Sequence, residues 1–151
     1  PPRPLSSAAS DVYKRQIIDM HFMLQKEFAE RCAGNENSKS YGKLSVICDY
    51  LFEVSILKDV DKSFFIPPPK VDSAFVRFKP KRKTLNEIEF VNLKKILNPL
   101  FNAKRKKVKK TLLSLFSEKD LESTGINLNL RPDELNTASF IKLSKLIKNN
   151  G

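Results

Sequence analysis

The spacing of apolar positions changes along the chain, and each change marks an element. Residues 17–24, IIDMHFML, form a short and nearly unbroken apolar run, which predicts a buried strand. Gln25–Ala33 moves to helical spacing, with Phe28, Ala29 and Cys32 on one side. Residues 34–40, GNENSKS, are turn chemistry. Tyr41–Leu51 reads as a second helix with Leu44, Ile47, Cys48 and Leu51 on one face. Glu53–Leu57 and Ala74–Phe78 alternate apolar and polar as strands do, with the proline-rich stretch 63–73 between them. The pattern is strand, helix, helix, β-hairpin: the tail of an α/β sheet.

Residues 80–83, PKRK, are polar and basic, and a domain boundary is placed after residue 80. Beyond it the period is helical. Asn86 and Glu89 make a capping pair, followed by a stripe of Phe90, Leu93, Leu97 and Leu100. Pro99 is expected to end or kink that helix. Asn102 is expected to cap another, running to about Phe116 with Val108, Leu112 and Leu115 inward. A short helix, the turn-like GINLNL and a proline-started turn at RPDEL follow. Thr137–Lys148 is a last helix built on Phe140, Leu143 and Ile147. The expected organisation is therefore an α/β portion over 17–80 and a small all-α domain over 81–151. Residues 1–16, PPRPLSSAASDVYKRQ, have no period and are set aside as disordered or adventitious.

Charge sharpens this picture. The formal net charge is +11, and residues 77–110 alone carry 13 basic and 2 acidic side chains. A solubility excess would be spread along the chain, so the concentration points to a polyanion: RNA, DNA or an anionic membrane. No stretch approaches the roughly 18 apolar residues of a membrane span. Cys32 and Cys48 form no CxxC and have no histidine pair nearby, which argues against a disulfide framework or a metal site and suits a reducing cytoplasm.

Three constellations could carry chemistry. In Phe64-Phe65-Ile66-Pro67-Pro68-Pro69-Lys70, consecutive prolines fix φ and remove N–H donors, making a stiff strut beside two aromatic rings. A rigid aromatic suits stacking of a flat base; equally, the segment could be a rigid loop with both rings in the core. In residues 104–110, Lys104, Arg105, Lys106, Lys107, Lys109 and Lys110 make six basic positions of seven at a predicted helix start. Cations there oppose the helix dipole and one another, and an anionic partner would remove both penalties. The alternative is a solvated charge run. Gln25 and Lys26 stand at a strand-to-helix junction, where open α/β sheets bind ligands, or where an ordinary first turn sits. The single His21 reads as a sheet residue.

Residues 22–81 resemble the bacterial small-subunit rRNA adenine N6-dimethyltransferases. The shared motifs, in order, are the Met23-Leu24-Gln25-Lys26-Glu27 helix start, Tyr41-Gly42-Lys43-Leu44-Ser45-Val46, and Phe65-Ile66-Pro67-Pro68-Pro69-Lys70-Val71-Asp72-Ser73. Phe101-Asn102 with Lys104-Arg105-Lys106, and Gly125-Ile126 with Arg131-Pro132-Asp133-Glu134-Leu135, extend the likeness to about residue 147. The resemblance implies the C-terminal part of a Rossmann-like methyltransferase domain, with strand 17–24 inside a parallel sheet, followed by an rRNA-binding helical domain. It implies methyl transfer from S-adenosylmethionine to two adjacent adenines of small-subunit rRNA, by a cytoplasmic monomer engaged in ribosome biogenesis. By motif position Phe65 stacks the target adenine. Phe64, Pro67, Pro69, Lys70, Gln25 and Lys26 help hold the substrate, and Lys104, Arg105, Lys106, Lys107, Lys109 and Lys110 grip RNA. The family's Gly-rich cofactor loop, acidic ribose-binding residue and Asn-Leu-Pro-Tyr motif have no counterpart here. The chain alone is thus expected to bind no S-adenosylmethionine and to be inactive.

Two other functions fit the same residues. One is a non-catalytic RNA-binding module in ribosome assembly. The other is a relative acting on large-subunit rRNA. A membrane-surface role is the poorest fit, because the basic segment lacks a bulky interfacial aromatic face.

Overall fold

The computed structural model describes residues 18–81 and 86–148. The expectation for residues 1–16 and the basic residues Arg82 and Lys83 lie outside these. The described residues divide into two compact units: 18–34 with 47–81, and 35–46 with 86–148. Segment 35–46, placed before the boundary by its position in the chain, thus packs with the helical elements.

In the first unit, β1 (Met20–Gln25) leads directly into α1 (Lys26–Cys32). The end of α2 (Lys43–Leu51) leads into β2 (Phe52–Val60), and a loop returns the chain as β3 (Ser73–Pro80). The strand order is β1-β3-β2, with both neighbours antiparallel to β3. This corrects the expectation for the first strand: its partner is the antiparallel β3, in the register Phe22 to Val76 and Leu24 to Ala74. The apolar run also predicts a buried strand, whereas Phe22 and Met23 are about half exposed, because among the described residues β1 is paired on one side only.

Strand alternation puts Ala74, Val76 and Phe78 on one face of β3, all buried, and α1 covers that face with Ala29 and Cys32. Phe22 and Phe52 approach Phe78 edge-on, with centroids 5.8 and 5.6 Å away. The other face carries His21 stacked on Phe75 at 5.7 Å, and Arg77 donating to Asp19 at 3.0 Å. His21 is a sheet residue, as its position suggested. The register slips between Ile56 and Lys58, a bulge that leaves Leu57 half exposed. Cys32 and Cys48, far apart in sequence, meet here as free, buried thiols hydrogen-bonded to each other. Burial, then the neighbouring thiol, pushes Cys48 up to about 12.

The described elements of the second unit after residue 86 are helical: α3 (Glu87–Asn102), α4 (Val108–Leu115), α5 (Glu118–Glu122) and α6 (Thr137–Ser144). Asn86 caps α3, its side-chain oxygen accepting the Glu89 N–H at 3.1 Å. Leu93, Ile96, Leu97, Leu100, Phe140 and Leu143 are buried as α3 packs on α6. Several helix details differ from expectation. The last helix ends at Ser144, short of Lys148, and of the face expected for α2 only Cys48 is buried, with Ser45, Val46 and Tyr50 instead of Leu44, Ile47 and Leu51. Pro99 lies inside α3, which continues through it to Asn102, since one missing N–H near a helix end costs a single bond. Asn102 closes α3 instead of opening α4, whose N-cap is Lys107. Leu115 is 48% exposed while Val108 and Leu112 are buried. No helix among the described residues is long and apolar enough to cross a membrane.

Candidate functional site

The aromatic–proline loop is built from its two ends inward. Asp61 caps a short 3-10 turn, Lys62–Phe64, by accepting the Ser63 N–H at 2.8 Å. That bond from the Ser63 backbone holds the Asp61 carboxyl below the ordinary carboxylate range. At the far end, Asp72 ties the loop down twice. Its carboxylate accepts the Lys62 N–H at 3.0 Å, and its carbonyl accepts the Lys26 N–H at 3.0 Å. The loop's start, its end and the first residue of α1 are therefore fastened at one point. Between these anchors Pro67, Pro68 and Pro69 set the backbone, and the Ile66–Pro67 bond is cis.

The rings on this frame differ. Phe65 is half-buried, whereas Phe64 is 80% exposed and Ile66 fully so. Both rings in the core is thus not the arrangement found. Gln25, Lys26 and Lys70 come together around a cavity of about 350 Å³, joined by Lys62 and Asp72. Phe64, Phe65, Pro67 and Pro69 do not line it. Lys26 also reaches Asp59 at 3.5 Å. Sequence reasoning missed Lys62 and Asp72. The signal was there in part, since an Asp closing a proline-rich loop is a hydrogen-bond acceptor for nearby backbone N–H groups.

The basic segment occupies the second unit. Residues 103–106 form the turn between α3 and α4, so only Lys109 and Lys110 lie in the first turn of α4. The N–H groups of Val108 and Lys109 donate to the carbonyls of Leu130 and Leu128, at 2.8 and 3.1 Å. Two of the N–H groups at this helix start are thus met by backbone carbonyls of residues 128 and 130. Lys104 donates to the Tyr41 carbonyl at 3.2 Å and is partly structural. Arg105, Lys106, Lys107, Lys109 and Lys110 are exposed and, among the described residues, pair with no carboxylate.

A Cβ built on Gly42 or Gly125 meets nothing within 4 Å, so neither glycine is required by a close protein neighbour. Among the described residues there is no cluster of three metal-ligating side chains.

Residues 5–149 match the family model described as ribosomal RNA adenine dimethylase. The chain is 39% identical over 139 residues to ribosomal RNA small subunit methyltransferase A of Klebsiella pneumoniae (strain 342), covering 91% of itself and 51% of that protein. It is 42% identical over 136 residues to the protein of that name from Legionella pneumophila (strain Corby), covering 88% and 52%. The chain thus spans about half the length of the curated relatives it matches. Among solved structures, a dimethyladenosine transferase from Plasmodium falciparum aligns at TM-score 0.70 and 24% identity, over 94% of this chain and 63% of that one. The 23S rRNA methyltransferase ErmE aligns at TM-score 0.60 and 22% identity, over 96% and 62%. These two likenesses bear on the fold alone.

Proposed function

The chain belongs to the ribosomal RNA adenine dimethylase family, and from that premise we propose that it supplies the base-holding wall and the RNA grip of an S-adenosylmethionine-dependent rRNA adenine N6,N6-dimethyltransferase. The substrate is two adjacent adenines of small-subunit rRNA. The sheet unit is the C-terminal part of a Rossmann-like methyltransferase domain, and the helical unit is its rRNA-binding domain.

The observation that carries this reading is the pinned loop. The adenine N6 lone pair is delocalised into the purine, so a methyl acceptor must be held in a fixed, stacked pose out of the helix. A half-buried Phe65 on a frame fastened by Asp72 and Asp61 is suited to that task. Phe64 projects further and serves the flanking nucleotide. Gln25, Lys26 and Lys70 offer amide and ammonium donors to the same substrate. Lys104, Arg105, Lys106, Lys107, Lys109 and Lys110 meet phosphates, which position RNA without reading sequence. No methyl-transfer step is assigned to these residues, and by themselves they are expected to leave unmethylated small subunits unmodified.

The test uses an rRNA hairpin with 2-aminopurine in place of the first target adenine. Binding of the chain should quench its fluorescence, Phe65→Leu should abolish the quench, and Phe64→Leu should leave most of it. Equal quenching by wild type and Phe65→Leu would overturn the stacking assignment.

A further inference from the structure

The helical unit holds a groove that the family reading leaves without a role. It lies between α3, the turn joining α4 to α5, and the chain after α6, with a volume of about 400 Å³. That falls within the roughly 300–1,000 Å³ of small-ligand pockets. Its apolar lining includes Leu115, Phe116 and Ile147, and Lys95 and Lys148 also border it. Leu115 is 48% exposed, although its helix buries Val108 and Leu112. An apolar side chain is thus left open beside a half-buried aromatic and two cations.

We propose that this groove is a second nucleobase site, which takes an unstacked base bearing an exocyclic amine from single-stranded RNA. The inference rests on the RNA-binding reading of the helical unit. Residues 35–46 and 86–148 carry 15 Lys and Arg against 8 Asp and Glu, so a polyanion is the partner their charge selects. A base supplies the flat apolar face that Leu115, Phe116 and Ile147 can cover, and its phosphates meet Lys95 and Lys148. Two polar groups set the edge. Asp120 also lines the groove, and its carboxylate can accept from an amino group as acidic residues accept from cytosine N4. The Ser117 Oγ accepts the Asp120 N–H at 3.2 Å, which leaves its own hydrogen to donate to a ring nitrogen. A lipid chain would leave both groups unused, and an anionic headgroup would face the Asp120 charge.

The experiment measures affinity of the whole chain for single-stranded oligo(A) and oligo(U) of about twelve nucleotides, and for an RNA hairpin duplex. Wild type should prefer oligo(A) over oligo(U). Leu115→Asp, at an exposed position, should weaken oligo(A) by about tenfold and leave the hairpin within about twofold. Asp120→Asn should remove the preference for oligo(A), whereas Phe65→Leu should leave the Leu115-dependent component in place. An equal loss on all three RNAs, or no loss, would overturn the site. So would displacement of oligo(A) by phosphatidylserine vesicles. Failure of wild type to bind the hairpin would sink the RNA-grip reading, while the response of oligo(A) to Leu115→Asp would still judge the groove.

Discussion

The two units both bury a core, but they leave apolar surface in different places: on helix positions such as Ile88, Val91, Leu113 and Leu115 in one, and on the strands in the other. In the helical unit Leu93, Leu97, Leu112, Phe140 and Leu143 have no exposed surface. In the sheet unit Phe22 and Met23 of β1 are about half exposed, and Phe75 is 37% exposed. Among the described residues β1 pairs on one side only, with β3. The helical unit therefore holds itself together with side chains that have no other task, and its cations are left over for a partner. The sheet unit puts its fixed bonds elsewhere, into the loop that presents Phe65.

The sharpest way to break this contrast is a large-to-small substitution in each unit. Phe140→Ala empties a fully buried site and should cost about 3–5 kcal/mol. Met23→Ala, half exposed, should cost less than about 1 kcal/mol. Urea unfolding of the two variants measures both, and similar losses would mean that the sheet unit is as tightly closed as the helical one.

A smaller effect is expected at the loop. Asp72→Ala removes the carboxylate that accepts the Lys62 N–H, a bond of the class worth about 1.5–3 kcal/mol where the acceptor is charged. The partial exposure of Asp72 puts the effect at the lower end of that range. Hydrogen exchange should accelerate at Lys62 and Phe64, with the amides of α3 unchanged. Unaltered exchange at Lys62 would show that the prolines alone hold the loop.

The smallest effect concerns the paired thiols. In the unfolded chain Cys48 loses its proton near 9.0, and in the folded chain near about 12. Between those values the unfolded state binds fewer protons, so stability is complete below the lower value and falls as pH rises through the window. The decline between pH 9 and 10, at the start of that window, should be shallower in Cys48→Ala. Below that window both thiols should resist alkylation until the protein unfolds, because each is buried and protonated.

Much of this was legible in the sequence. Helical spacing gave the buried positions Ala29, Cys32, Leu93, Leu97 and Leu100, because one periodic face is what a helix must bury. The proline loop could be read as rigid, since φ restriction is local. Features set by distant parts of the chain were not legible. Cys32 and Cys48 meet through the packing of α1 near the end of α2, which no spacing encodes. Phe28 has helical spacing yet is 46% exposed, since the period does not say how wide the covered face is. Ser45, a polar residue in α2, is fully buried because its hydroxyl accepts the Gly42 N–H at 3.1 Å. The double tie of Asp72 joins residues ten and forty-six positions away, and it is visible only once the strands are paired.

The central claim is that the exposed cations of the helical unit are an RNA grip and not a solvated face. It is tested most directly by the salt dependence of rRNA hairpin affinity in wild type and in an Arg105, Lys106, Lys107→Gln variant, with Lys104 kept because it also holds the Tyr41 carbonyl. Each lost phosphate contact lowers the slope of log affinity against log salt by roughly 0.7–0.9, so the variant's slope should be shallower by roughly 2 to 3. An unchanged slope would mean that these side chains meet only water.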